Sequence, residues 1–282
     1  MMLTDQQFDR TRRLASRLAG IELADRHRAL LGHRSRRLGI LDTTGLDLLL
    51  DAAEEGESSA TQKLLCLLTT KFTGFFRHPR HFELVAEHAI QAVRHRGQAR
   101  LWSAGTATGE EAWSLAMALV EAFETDAPPV SILATDVDAE AITAALRGEY
   151  GPASLKTLTP ARRERFLNEM GLSQRRSVKP ALRGLVEFRR LNLVGEDWSV
   201  QGPVNVVFCR NVLMYLEAGH RRAVLERIAS LLAPDGLLLL DPTEHLGTAE
   251  RWFLAGSGGV YSLRRHSGRA EIRCPSPTIM KL

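Results

Sequence analysis

Residues 99–111, Ala-Arg-Leu-Trp-Ser-Ala-Gly-Thr-Ala-Thr-Gly-Glu-Glu, read as a buried strand that runs into a loop of small residues and ends in two acids opening a helix. Gly105 and Gly109 permit close approach of the backbone to a ligand, as in dinucleotide-binding turns. A phosphate binder presents bare amides or a lysine where such a helix starts, whereas this one begins with Glu110 and Glu111, which repel a pyrophosphate and suit a cationic ligand. Further along, Ile132-Leu133-Ala134-Thr135-Asp136-Val137-Asp138 gives a second apolar strand ending in an acid, the place from which ribose hydroxyls are bound. Ribose joined to a positive centre, without phosphates, describes S-adenosylmethionine better than NAD or ATP. Thr108-Gly109-Glu110-Glu111 also fits a capping box, in which the N-cap hydroxyl and the acid three residues later satisfy each other's orphan amides. The two roles can coexist.

Outward from this segment, the chain alternates. Apolar runs at 99–104, 130–135, 186–191, 204–208, 236–241 and 258–264 are separated by amphipathic stretches expected to be helical at 110–124, 138–147, 160–169 and 218–232. That alternation predicts an α/β fold with a largely parallel sheet, whose ligand lies beyond the carboxyl ends of the strands. Asp235-Gly236 punctuates the last helix before Leu237–Leu240. Residues 1–90 show helical periodicity only, so a helical N-terminal domain is expected before a second domain over 91–265. Residues 150–188 break the alternation and read as an inserted subdomain, a small hairpin or antiparallel sheet, or else a plain surface excursion. His266–Leu282, without periodicity, is expected to be a disordered tail.

With 282 residues, 44% hydrophobic and 25% charged, the composition is that of a globular protein. No apolar stretch approaches the ~18 residues of a membrane span, and Asp5, Asp9 and several arginines exclude a signal-peptide core, so a cytoplasmic location is expected. Cys66, Cys209 and Cys274 are scattered, which indicates neither a zinc site nor a disulfide framework. The net charge is +4. Arg26, Arg28, Arg34, Arg36 and Arg37 gather on one helical segment that has no acid until Asp42 and no aromatic residue over 26–41. An acidic protein surface is a better partner for that face than a nucleic acid, which would be stacked on aromatics.

Taken together, several segments resemble the CheR-type methyltransferases, which esterify glutamates of bacterial chemoreceptors. The likeness spans about residues 19–265. It rests on Leu68-Thr69-Thr70-Lys71-Phe72-Thr73-Gly74-Phe75-Phe76-Arg77, on Trp102-Ser103-Ala104-Gly105 with Thr108-Gly109-Glu110-Glu111, and on Ala134-Thr135-Asp136-Val137-Asp138. Leu191-Asn192-Leu193 and Phe208-Cys209-Arg210-Asn211-Val212-Leu213-Met214-Tyr215-Leu216 extend it. The resemblance implies a Rossmann-like domain binding S-adenosylmethionine, with a small inserted β-subdomain and a helical domain before it. It implies methyl transfer to glutamates of an acidic receptor helical bundle by a monomer without a metal. A cofactor-binding or partner-binding homologue without turnover is the alternative.

The resemblance also assigns roles. Thr73 and Arg77 reach into the cofactor site from the N-terminal side, Glu111 and Asp136 contact the methionine end and the ribose, Asn192 and Leu193 border the adenine, and Arg210 and Asn211 complete the pocket. Lys71 and Gly105 lie in the same motifs and count among the cofactor-binding residues. Arg77 and Tyr215 look like the catalytic pair, and Arg26, Arg34, Arg36 and Arg37 like the docking face. Three departures stand out. Lys71 places a cation near a cationic cofactor, which weakens affinity unless it turns outward. Asp241-Pro242-Thr243-Glu244 replaces a Gly-His-Ser-Glu run and stiffens the turn. Arg34-Ser35-Arg36-Arg37-Leu38 is one residue tighter than the family spacing, a rotation of about 100° on a helix.

Overall fold

A computed structural model describes residues 2–71, 73–171 and 173–264. The expected tail at 266–282 lies outside these residues. Five helices come first: α1 (Asp5–Ala19), α2 (Arg28–Arg37), α3 (Thr43–Glu54), α4 (Ser58–Leu68) and α5 (Pro79–Arg96). Thr4 and Gln7 close a capping box on α1, and the Asp42 carboxylate caps α3 through the Gly45 amide at 2.8 Å. Helices α1 to α4 bury Phe8, Leu14, Leu31, Leu46, Leu50 and Leu64 in a core of their own. Helix α5 runs unbroken across residue 90, the boundary read from the periodicity, and packs instead on the elements that follow.

The remaining elements are β1 (Ala99–Ala104), α6 (Glu110–Phe123), β2 (Val130–Asp136), α7 (Ala139–Arg147), β3 (Glu149–Tyr150), α8 (Pro152–Leu155), α9 (Pro160–Phe166), β4 (Leu167–Glu169), β5 (Arg176–Val178), α10 (Pro180–Arg183), β6 (Val186–Arg190), β7 (Val204–Phe208), α11 (Ala218–Leu231), β8 (Leu232–Leu239), β9 (Phe253–Ala255) and β10 (Val260–Leu263). The main sheet has the order β6-β2-β1-β7-β8-β10-β9, with the first five strands parallel and the last two antiparallel additions. This is a Rossmann-like α/β sheet. Strands β3, β5 and β4 form a separate antiparallel sheet between α7 and β6.

Each face of the main sheet has its own core. Phe75, Phe82, Trp113 and Leu119 pack on one side, and Trp102, Leu225, Ile228 and Phe253 on the other. From β1 the chain works outward through β2 to β6 and then returns to β7 on the opposite side of β1. The strand order therefore reverses between β1 and β7, and a crevice opens at their carboxyl ends. Two of the expected boundaries are displaced by more than two residues. Strand β8 begins at Leu232 rather than 236, because Leu232 pairs with Val204 before Ala233–Gly236 loop out and Leu237 resumes opposite Val206. Helix α9 stops at Phe166, because Leu167 turns extended and joins β5.

Candidate functional site

At the reversal point, the loop leaving β1 is stitched to the end of β2. The Gly105 and Thr106 amides both donate to the Thr135 carbonyl, at 2.8 and 2.9 Å, and the Ala107 amide donates to Asp136 Oδ2 at 2.9 Å. Gly105 has φ +80° and so little room that an added Cβ would sit 2.2 Å from Val212 Cγ2. Only glycine fits there. From the small sheet, the Tyr150 hydroxyl donates to the Thr108 carbonyl at 2.7 Å and braces the loop from outside.

The two acids at the start of α6 part company. Thr108 donates its hydroxyl to Glu110, not to Glu111, and Gly109 is the N-cap, so the capping box does not form. Glu110 is buried beside Thr108, and burial pushes its carboxyl above the usual range. Glu111 lines the cavity. Its Oε1 accepts from Ser103 Oγ at 2.7 Å, and its Oε2 accepts from Nε of Arg210 at 2.7 Å, with Nη2 of the same guanidinium paired to it at 2.7 Å. Arg210 is itself buried against the rings of Phe82 and Phe208, and its Nη1 donates to the Arg77 carbonyl. Such a pair is held because each charge has the other and its remaining hydrogen bonds are met.

Asp136 takes amide hydrogen bonds from Ala107 and Asp138 on separate oxygens. Burial nevertheless raises its carboxyl above the usual range. Asp138 caps α7 through the amides of Glu140 and Ala141. Its other oxygen accepts from Thr69 Oγ1 at 2.9 Å and lies 3.3 Å from Lys71 Nζ. Lys71 also donates to Glu140 at 3.0 Å and to Cys66 Sγ at 3.1 Å. Partial burial opposes its charge, but these contacts keep the ammonium above the usual lysine range. Although Lys71 borders the cavity, its positive end is thus spent on two carboxylates. It is also the cation that the Cys66, Asp138 and Glu140 donor cluster encloses.

The far wall comes from the N-terminal helices. Ala19, Ile21, Leu68, Thr69, Thr70, Lys71, Thr73 and Arg77 face Gly105, Glu111, Asp136, Leu191, Asn192, Leu193, Arg210, Asn211 and Tyr215 across one cavity. Every residue expected at the cofactor site, and both members of the expected catalytic pair, therefore border the same space. Asn192 does so while tying the two halves together, donating from Nδ2 to the Leu18 carbonyl at 2.7 Å. The segment carrying Tyr215 pairs with residues 20–22, through Glu22 N to Tyr215 O at 2.8 Å and a bridge between Ile21 and Leu216. Apolar surface from Ile21, Leu68, Leu191 and Leu193 beside the acceptor Asp136 suits a flat base with a hydroxylated sugar. The acids in the wall, Glu111 among them, suit an ammonium group.

The basic helix divides. Arg26 lies in a separate turn before α2, and it, Arg36 and Arg37 are exposed. Arg34 turns inward, donating to the Leu67 and Leu68 carbonyls at 3.2 and 3.1 Å and to Thr70 Oγ1 at 2.7 Å, so it caps α4. None of the four borders the cavity. Sequence reasoning did not assign roles to Ser103, Thr69, Asp241 or Glu244. The departure at 241–244 was the signal for the last two.

The family model for the CheR methyltransferase SAM-binding domain matches residues 71–260. The chain belongs to the CheR methyltransferase family. It is 36% identical over 272 residues to the chemotaxis protein methyltransferase of Escherichia coli K12, covering 94% of this chain and 93% of that one. It is 35% identical over 262 residues to chemotaxis protein methyltransferase 2 of Pseudomonas aeruginosa PAO1, covering 92% and 93%, and 30% identical to the Vibrio anguillarum chemotaxis protein methyltransferase, covering 93% and 98%. The cofactor of this CheR-family member is S-adenosylmethionine, and it is a methyltransferase. No described helix is long and apolar enough to cross a membrane.

Proposed function

We propose that this methyltransferase esterifies glutamate side chains on the cytoplasmic helices of chemoreceptors, and that it docks on them as a monomer. The observation that carries the reading is one cavity bordered both by the cofactor-facing acids Glu111 and Asp136 and by Arg77 and Tyr215. S-adenosylmethionine supplies an electrophilic methyl group on sulfur. A glutamate, with an ordinary pKa of about 4.3, is already a nucleophilic carboxylate at neutral pH, so no general base is required. What remains is alignment and exclusion of water.

Arg77 and Tyr215 are well suited to that task. A guanidinium fork and a phenol hydroxyl can each donate to a carboxylate, fixing one oxygen as acceptor of the methyl group. Asp136 accepts hydrogen bonds from the sugar, and Glu111, steadied by Ser103 and Arg210, faces the amino-acid end. Asn192 and Leu193 border the base. The exposed Arg26, Arg36 and Arg37 provide a cationic approach for an acidic helical bundle.

Transfer of labelled methyl groups from S-adenosylmethionine to receptors of the same cell tests this directly. Arg77→Ala and Tyr215→Phe should each reduce transfer by roughly a hundredfold or more, as lost alignment does. Full activity in both variants would overturn the assignment of the pair.

A further inference from the structure

We infer that Lys71 is a positioning residue for the cofactor site: through Asp138 it bolts the turn after β2, and with it Asp136, to the helical wall of the cavity. This rests on the reading of Asp136 as the acceptor for the sugar. Lys71 is one of the positions where the chain departs from the family pattern, and its effect reverses the one expected of a cation there.

On charge alone, a lysine bordering the site of a sulfonium ion opposes binding. Here the charge is matched. Lys71 Nζ donates to Cys66 Sγ on α4 at 3.1 Å and to Glu140 Oε2 on α7 at 3.0 Å, and it lies 3.3 Å from Asp138 Oδ2. The Glu140 side chain is mostly exposed and that of Asp138 all but buried, so the pair with Asp138 is the one that solvent screens least.

Asp138 needs that partner. Its Oδ1 accepts from the Glu140 and Ala141 amides at 2.9 and 3.2 Å, as the N-cap of α7. Its Oδ2 has Thr69 Oγ1 at 2.9 Å, but the same hydroxyl lies 2.9 Å from the Leu65 carbonyl and has one proton for both. Lys71 is therefore the group that offsets the charge on this buried oxygen. Truncating one member of such a pair leaves the other charge buried and unmatched, and the turn that carries it gains by moving toward water.

What moves with the turn is the acceptor for the sugar. The Asp138 amide donates to Asp136 Oδ1 at 3.0 Å, while the Ala107 amide donates to Oδ2 at 2.9 Å. Asp136 is thus aimed from two sides, by its own turn and by the loop after β1. Thr69 and Lys71 follow the end of α4, and α4 packs on α7. Lys71, Asp138 and Asp136 form one continuous chain of contacts from the helical wall to the acceptor.

The test is calorimetry of S-adenosylmethionine and S-adenosylhomocysteine, which differ by a methyl group and the positive charge on sulfur. Lys71→Met should weaken both by the same factor, roughly fivefold, the scale of a partly exposed ion pair. In an Asp138→Asn background, where an asparagine can still cap α7, Lys71→Met should have little further effect, because residues acting as one unit are not additive. If Asp138→Asn fails to fold, ionic strength gives the same information: affinity for S-adenosylhomocysteine should weaken with salt in the wild type and less so in Lys71→Met. Tighter binding of S-adenosylmethionine alone in Lys71→Met would show that the lysine acts on the sulfonium, and unchanged affinity for both ligands that it positions nothing; either would overturn the inference. An equal loss from Lys71→Met in the Asp138→Asn background, or a salt dependence that Lys71→Met leaves intact, would do the same. Asp136→Asn separates the two readings. Wild-type affinity in that variant would overturn the role of Asp136, whereas weak binding there with wild-type affinity in Lys71→Met would overturn the role of Lys71 alone.

Discussion

Asp136 holds a charge in an unfavourable place. Burial raises its carboxyl, and hydrogen bonds from the backbone amides of Asp138, Ala107 and Val137 offset that cost only in part. A buried acceptor of this kind is worth having if a ligand completes its hydrogen bonds. A charged hydrogen bond contributes about 1.5–3 kcal/mol, so Asp136→Asn should weaken S-adenosylmethionine binding by roughly ten- to a hundredfold in calorimetry. The sign of the pH effect follows. The ionised form accepts from hydroxyls, and protonation becomes easier when the pKa is raised, so cofactor affinity should fall as pH drops from neutrality toward about 4. Asp241 shifts in the other direction. Burial opposes its charge, but hydrogen bonds from the Thr243 hydroxyl and amide and from Asn211, with Arg77 nearby, hold it at about 2. Its contact with Arg77 therefore outlasts the ionisation that Asp136 needs as acid is added. The two acids could not be told apart by residue type. Asp136 was legible because it ends an apolar run at the place where ribose is bound, whereas the partners of Asp241 are set by a turn and by a residue far away in the chain.

Among the elements, the loop after β1 has the least latitude. Gly105→Ala would impose both a Cβ at φ +80° and a 2.2 Å approach to Val212, within the segment that carries Arg210 and Asn211. The expected outcome is loss of cofactor binding together with a fall in Tm of several degrees, measured by thermal melts with and without S-adenosylmethionine. The strands at the centre of the sheet were legible to the residue: β1 and β7 occupy 99–104 and 204–208 as their apolar runs indicate. β7 is buried from end to end and β1 everywhere but Arg100, so the apolar run marks each of them. Elements at the margin were not. Strand β9 is three residues long, and β4 continues directly from α9 with no punctuating residue, so their limits are set by pairing partners rather than by local preference. The orientation of Lys71 was hidden for a similar reason. Its partners Asp138 and Glu140 lie on α7 and in the turn before it, and only the fold brings them to 3.3 and 3.0 Å.

Over the whole molecule, positive charge is spent in two ways that the sequence does not separate. Arg34 braces α4, while Arg36 and Arg37, next to it in the chain, stay exposed. Arg36→Glu with Arg37→Glu should raise the receptor KM several-fold at low ionic strength and less at high salt, with S-adenosylmethionine affinity unchanged. An unchanged KM at low salt would remove the docking role from this helix. Arg34→Ala belongs to another class, because its loss uncovers the carbonyls at the end of α4 and acts on stability.

The cavity's two walls belong to different parts of the chain, joined by hydrogen bonds such as Asn192 to the Leu18 carbonyl and Thr69 to Asp138. A ligand seated between them adds its own contacts to both sides. Any local opening that parts the helices from the sheet must first give up that ligand, so its concentration divided by its dissociation constant enters the free energy of the opening as a logarithm. In a cell where methyl donor and spent donor compete for the same space, the resistance of this junction to proteolysis becomes a record of the total occupancy of the site, whichever of the two molecules occupies it.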